Sequence, residues 1–128
     1  MDFPKDLYYT KDHEWIRVEP DADVCTVGIT EFAQSELGDI VYVEVDELDS
    51  ELAKEDAFGT VEAVKTVAEL FMPVSGTVIE LNPELEDSPE LVNDDPYGGG
   101  WLIKIRLSSA DEVSDLMSSA EYSDMVAG

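Results

Sequence analysis

Alternation of apolar and polar side chains in short runs limits this chain to a mostly β fold. The clearest run is Trp101 to Leu107, where Trp101, Ile103, Ile105 and Leu107 fall on one face and Lys104 and Arg106 on the other. His13 to Val18, Val24 to Ile29 and Ile40 to Val45 read as strands by the same pattern and by their β-branched and aromatic content. Phe58 to Val64, Ala68 to Phe71 and Gly76 to Leu81 continue it. Gly59-Thr60-Val61 and Gly76-Thr77-Val78 share a local pattern that fits two related halves of a small sandwich or barrel.

Helix signals are fewer. Thr30 is an N-cap for a short helix ending at Leu37, with Gly38 just past it. Near the C-terminus, Ser109 with Glu112 forms one capping box, followed by Val113, Leu116 and Met117 at helical spacing. Ser118 with Glu121 forms a second, ahead of a second short helix. Asn82 to Gly100 reads as loop, punctuated by Pro83, Pro89, Pro96 and three consecutive glycines. With 128 residues, 44% of them hydrophobic, and no internal linker, the expectation is one domain over residues 1–128, closed by a helical C-terminal end.

Charge narrows the partners. Thirty-one acidic residues against seven basic ones give a formal charge of −24, spread from end to end. Nucleic acid and anionic membrane surfaces both require basic clusters that this chain lacks. No apolar run approaches the roughly 18 residues that span a bilayer. Met1 to Asp6 has neither a basic nor an apolar leader segment, so a cytoplasmic protein is expected. Such dispersed acidity further suggests a chain suited to high salt, where self-repulsion is screened.

Catalytic constellations are scarce. One histidine and one cysteine leave no metal-ligand cluster and only His13 or Cys25 as centres for nucleophilic chemistry. His13, beside Trp15 in a strand run, reads as a structural, half-buried ring, and Cys25 as a packed thiol. Carboxylate pairs say little in so acidic a chain. Of the five lysines, Lys65 differs by lying between two strand-forming runs, where a hairpin reversal exposes it. Val64-Lys65-Thr66 lacks the Asn-Gly or Asp-Gly signal of a tight turn, so something other than turn propensity must hold that tip. From these residues alone Lys65 remains either an ordinary solvated lysine or a site of modification.

Gly59-Thr60-Val61-Glu62-Ala63-Val64-Lys65, followed by Met72-Pro73-Val74-Ser75-Gly76, resembles the lipoyl-lysine hairpin of glycine cleavage system H proteins. The resemblance covers nearly the whole chain. Tyr9-Thr10-Lys11-Asp12-His13-Glu14-Trp15 is similar to the family's opening strand, and Val27 to Gln34 with Leu37 to Val41 to its helix and next strand. Asp87 to Asn93 and Pro96 to Trp101 are similar to its long loop. The departures are Ala63 for the usual Ser, Thr66 for Ala, and Glu69 for Asp, which keeps the charge on a longer side chain.

The resemblance implies a lipoyl/biotinyl-type barrel-sandwich hybrid and a monomeric carrier, not an enzyme. Lipoic acid would be joined by an amide to Lys65. Partners would be glycine decarboxylase, a pyridoxal-phosphate enzyme; aminomethyltransferase, which uses tetrahydrofolate; dihydrolipoamide dehydrogenase; and a lipoate-attaching enzyme. Glu14 would contact the arm in a cleft, with Asp12 and Glu69 as further contacts. Related alternatives are a lipoyl domain serving a 2-oxoacid dehydrogenase, a lipoyl relay protein, or a binding module with Lys65 unmodified. A biotinyl domain fits less well, since methionine flanks the lysine there and Val64 and Thr66 do so here.

Overall fold

A computed structural model describes residues 3–19, 23–45, 47–108 and 110–127. Among the described residues, nine strands and three α-helices run in the order β1 (Tyr8–Tyr9), β2 (Glu14–Val18), β3 (Val24–Ile29), α1 (Glu31–Leu37), β4 (Ile40–Val45), β5 (Glu51–Leu52), β6 (Ala57–Ala63), β7 (Val67–Phe71), β8 (Gly76–Leu81), α2 (Leu91–Asp94), β9 (Ile103–Leu107) and α3 (Ser119–Ala127). All seven strand runs read from alternation are present, joined by the two-residue β1 and β5. They form a six-stranded sheet, β1-β2-β3-β9-β8-β5, and a three-stranded sheet, β4-β6-β7, with antiparallel neighbours throughout.

The inward faces of both sheets meet in one core. Val61, Ala63 and Leu70 come from the small sheet; Val27, Val78, Ile103 and Ile105 come from the large one. The two Gly-Thr-Val segments therefore serve opposite sheets, and each delivers a fully buried valine, Val61 and Val78. This is the barrel-sandwich arrangement expected of the chain. Gly59 is where β6 crosses β4 most closely, since a side chain there would collide with the Glu44 carbonyl oxygen.

A second cluster, Leu7, Tyr9, Trp15 and Tyr122, ties the C-terminal end to the sheet. Trp15 donates its indole N–H to the Pro96 carbonyl at 3.0 Å, and Arg17 donates to that of Tyr97 at 2.8 Å. The Pro96–Trp101 loop is thereby fastened across β2.

Three readings need correction. His13 precedes β2 and does not belong to it; its φ of 68° is left-handed, and the strand begins at Glu14. The stretch 82–100 holds a 3-10 turn at Pro83–Leu85 and the single turn of α2. Of the two expected C-terminal helices, the second is present as α3, but the first is a 3-10 helix, Ala110–Asp115, that ends short of Met117. Met117 separates them by exchanging both backbone hydrogen bonds with Tyr9, each 2.9 Å. Ser109, and with it the first capping box, lies outside the described residues. The second box is formed reciprocally, Ser118 N to Glu121 Oε1 at 3.0 Å and Glu121 N to Ser118 Oγ at 3.2 Å.

Candidate functional site

Lys65 stands at the tip where β6 turns into β7. Ala63 N–H donates to the Thr66 carbonyl at 2.8 Å, closing the turn, and Val64 N–H donates sideways to the Asp39 carbonyl at 3.1 Å. That lateral bond is the constraint missing from the turn sequence. Asp39 in turn is held between residues that Asn93 clamps. Asn93 Oδ1 accepts from Ile40 N–H at 2.8 Å, and its Nδ2 donates to the Gly38 carbonyl at 2.8 Å and to Gln34 Oε1 at 2.9 Å. A single side chain from α2 thus sets the α1–β4 connection on which the tip rests. Asn93 was visible as part of a motif, but nothing local in the sequence showed that it acts on residues more than fifty positions away.

Gly38 does two jobs. Its φ of 83° ends α1, a conformation costly for other residues. It also leaves room for the Lys65 stem, since a Cβ built there would sit 3.3 Å from Lys65 Cε. Lys65 itself is exposed and has no ion-pair partner among the described residues.

β7 is an edge strand, and its free edge borders a cleft of about 350 Å³. Ile29, Phe32, Ala33 and Leu37 supply apolar walls, and Asp12, His13, Glu36 and Glu69 supply polar groups. The structure therefore brings Asp12 and Glu69 together in one cleft and adds Glu36, which the sequence reading did not single out. Glu36 sits in the last turn of α1, where the helix dipole disfavours an anion, so its charge does not serve the helix.

Glu14 is placed differently. It does not line the cleft and is only 2% exposed. Its Oε2 accepts from Phe71 N–H at 2.6 Å, while Oε1 is buried with no partner among the described residues. Burial pushes its carboxyl up to about 8, the nearby Asp12 charge adding to this and the Phe71 bond opposing it. At neutral pH Glu14 is thus mainly a protonated acid able to donate a hydrogen bond.

His13 is half-buried and packs 4.8 Å from the Phe32 ring. Its Nδ1 lies 2.8 Å from the Tyr122 hydroxyl, which lies 2.7 Å from Thr30 Oγ1. Thr30 Oγ1 also accepts from Ala33 N–H at 3.1 Å and so caps α1. Burial holds the imidazole below its usual range against the opposing charges of Asp12 and Glu36. The ring joins α3, α1 and the cleft wall, the structural role expected of it. Cys25 is fully buried in the core, and its thiol is pushed up to about 11 by that burial.

Comparison with known proteins fits this geometry. The sequence profile described as glycine cleavage H-protein matches residues 7–128. The chain is 59% identical over 125 residues to the glycine cleavage system H protein of Salinibacter ruber, covering 98% of this chain and 99% of that one. It belongs to the glycine cleavage H-protein family. The H protein of Prosthecochloris aestuarii is 57% identical over 126 residues, covering 98% of each chain. The crystal structure of the Mycobacterium marinum H protein superposes with a TM-score of 0.89 at 37% identity, over 98% of this chain and all of that one. The family resemblance carried by the sequence motifs and the family membership agree.

Proposed function

We propose that this chain is the lipoyl carrier of a glycine cleavage system and that Lys65 bears the lipoyl group in amide linkage. The observation that carries the reading is an exposed lysine, on a tip braced from outside its own turn, beside a cleft with apolar walls and carboxylates. The residues present suit such a group. Lys65 Nζ is accessible for acylation, and Gly38 leaves room for its stem.

When bound, the lipoyl group supplies a disulfide–dithiol couple that takes up and releases the amine-bearing carbon of glycine. The chain's own residues hold and shield it. Ile29, Phe32 and Leu37 exclude water along one wall, and Asp12, Glu36 and Glu69 hold a cationic amine by charge-assisted hydrogen bonds. Glu14, buried outside the cleft, acts on it indirectly by fixing Phe71 of β7. Acylation removes the Lys65 charge, so an uncharged stem lies over Gly38.

In this role the chain is a carrier and not a catalyst. It meets glycine decarboxylase, aminomethyltransferase and dihydrolipoamide dehydrogenase in turn, in the cytoplasm, and a lipoate-attaching enzyme before them. Among the described residues no helix is long and apolar enough to cross a membrane. Intact-mass measurement on protein from its native host tests the assignment, with one lipoyl adduct expected and mapped to Lys65. Lys65→Arg keeps the tip's charge and leaves folding intact, but should abolish both the adduct and support of glycine cleavage. Residual lipoylation of that variant would remove Lys65 from the role.

A further inference from the structure

The five lysines of this chain present a discrimination problem to any enzyme that acylates one of them. Lys11 is 3.7 Å from Glu55, and Lys104 is 3.8 Å from Glu80 and lies over the Trp101 ring. Lys5 is exposed as Lys65 is, and Lys54 is half-buried. What sets Lys65 apart is its apolar surroundings. Val64 and Val67, on either side of it, are 74% and 58% exposed, and among the described residues no other lysine has a large exposed apolar residue within two positions.

The apolar surface extends across the small sheet. Register places Tyr42 opposite Glu62 and Glu62 opposite Val67, so the three form one row on the outer face. Tyr42 is 51% exposed, and Val41, in the irregular stretch of β4, is 49% exposed. At the free edge of β4 this surface continues into a groove of about 440 Å³, lined by Tyr42, Val45, Leu81, Pro83 and Leu85 among others. Asp39, Glu44, Glu62 and Glu86 are exposed around it. The arm cleft borders the opposite edge of the same sheet, at β7, so an occupant of the β4 side leaves the cleft open.

We propose that Val41, Tyr42, Val64 and Val67, with the groove beside β4, are the docking surface for the enzyme that acylates Lys65. That partner presents an apolar centre rimmed by Lys and Arg. The inference rests on the carrier reading above. Its physical basis is that an unmodified carrier offers no arm to recognise, so selection must come from the folded surface around the lysine. An apolar centre supplies affinity, and the acid rim supplies orientation and a fast encounter with a basic surface. A second copy of this chain would set the same carboxylates against one another, so the complementary surface belongs to a different, basic protein.

The test uses the unmodified full-length chain with a lipoate-attaching enzyme, lipoate and ATP, following Lys65 acylation by mass. Val41→Ser with Tyr42→Ser changes β4 and leaves the residues beside the lysine untouched. It should lower kcat/KM by about tenfold or more through KM, with kcat and melting temperature little changed. Tyr42→Phe should keep the parent rate, and so should Leu48→Ser, which is 53% exposed but beyond the far end of β4. If the double variant does not fold, Tyr42→Ser alone decides, with the same direction expected. Parent kcat/KM in the serine variants would overturn the proposal, as would an equal loss in Leu48→Ser. So would a concentration-dependent dimer of the parent chain that Tyr42→Ser abolishes. Acylation of the parent at a lysine other than Lys65 is a different failure, because it overturns the carrier reading itself.

Discussion

Glu14 shows how far a residue's burial can redirect its role. A carboxyl whose folded-state pKa is raised binds more protons folded than unfolded, so folding is favoured at low pH. For Glu14 that contribution is full below about 4.5 and is lost as pH rises toward about 8. His13, held low, has the opposite sign: its contribution falls away as pH drops through 6.5. Glu14→Gln keeps an acceptor for Phe71 N–H and removes the ionisation. Its stability relative to the parent should therefore be near zero at pH 4.5 and grow to a few kcal/mol by pH 8, at about 1.4 kcal/mol per pH unit. Comparing the two proteins cancels His13. Denaturant melts across this range would refute the prediction if the curves stayed parallel. Rarity of lysine and strand-forming flanks drew attention to Lys65, but only the family resemblance of its hairpin separated it from an ordinary solvated lysine. The burial of Glu14 was not, because it depends on Phe71 and on a register between distant strands.

At the scale of elements, alternation revealed the strands and capping signals revealed α1 and α3, because both patterns are local. The points where those readings failed are tertiary. Met117, which side-chain spacing assigns to the first C-terminal helix, pairs with Tyr9 instead, and that helix ends at Asp115. Thr10, whose carbonyl accepts His13 N–H at 3.1 Å, and Tyr122 hold His13 in its left-handed turn ahead of β2. The cleft likewise forms only when β7, α1 and the 12–13 turn come together. Asn93 and Ser118 separate function from stability at this scale. Ser118→Ala removes one half of the α3 capping box and should cost about 1 kcal/mol. Asn93→Ala removes three hydrogen bonds at the α1–β4 connection and should cost about 1–3 kcal/mol. Only the second should slow Lys65 acylation measured well below the melting temperature, because only it loosens the Asp39 carbonyl that braces Val64. Equal rates in the two variants would show that the tip holds itself.

For the whole molecule the governing quantity is charge. The chain carries a formal −24 on 128 residues, and its described residues form two ion pairs, an exposed Lys11–Glu55 and a partly exposed Lys104–Glu80. Exposed pairs of this kind stabilise little. Thirty-one carboxylates on one small domain must stand within a few residue widths of one another. The Debye length is about 10 Å at ~0.1 M salt, so repulsion persists there, whereas at ~1 M it is about 3 Å. Each repulsion is small, but dozens together rival a folding stability of roughly 5–15 kcal/mol. Unfolding spreads the charges apart, so dilute buffer favours the unfolded chain. The melting temperature should therefore climb steeply from dilute buffer toward ~1 M potassium chloride. Near pH 4, where many carboxylates carry protons, the same titration should be shallower, because the charge to be screened is smaller. A rise that continues in step beyond ~1 M would assign part of the effect to ion binding or salting-out of apolar surface, since screening is then complete. A profile flat at both pH values would show that the acidic surface does not strain the fold, and with it would go the reading of this chain as suited to high salt.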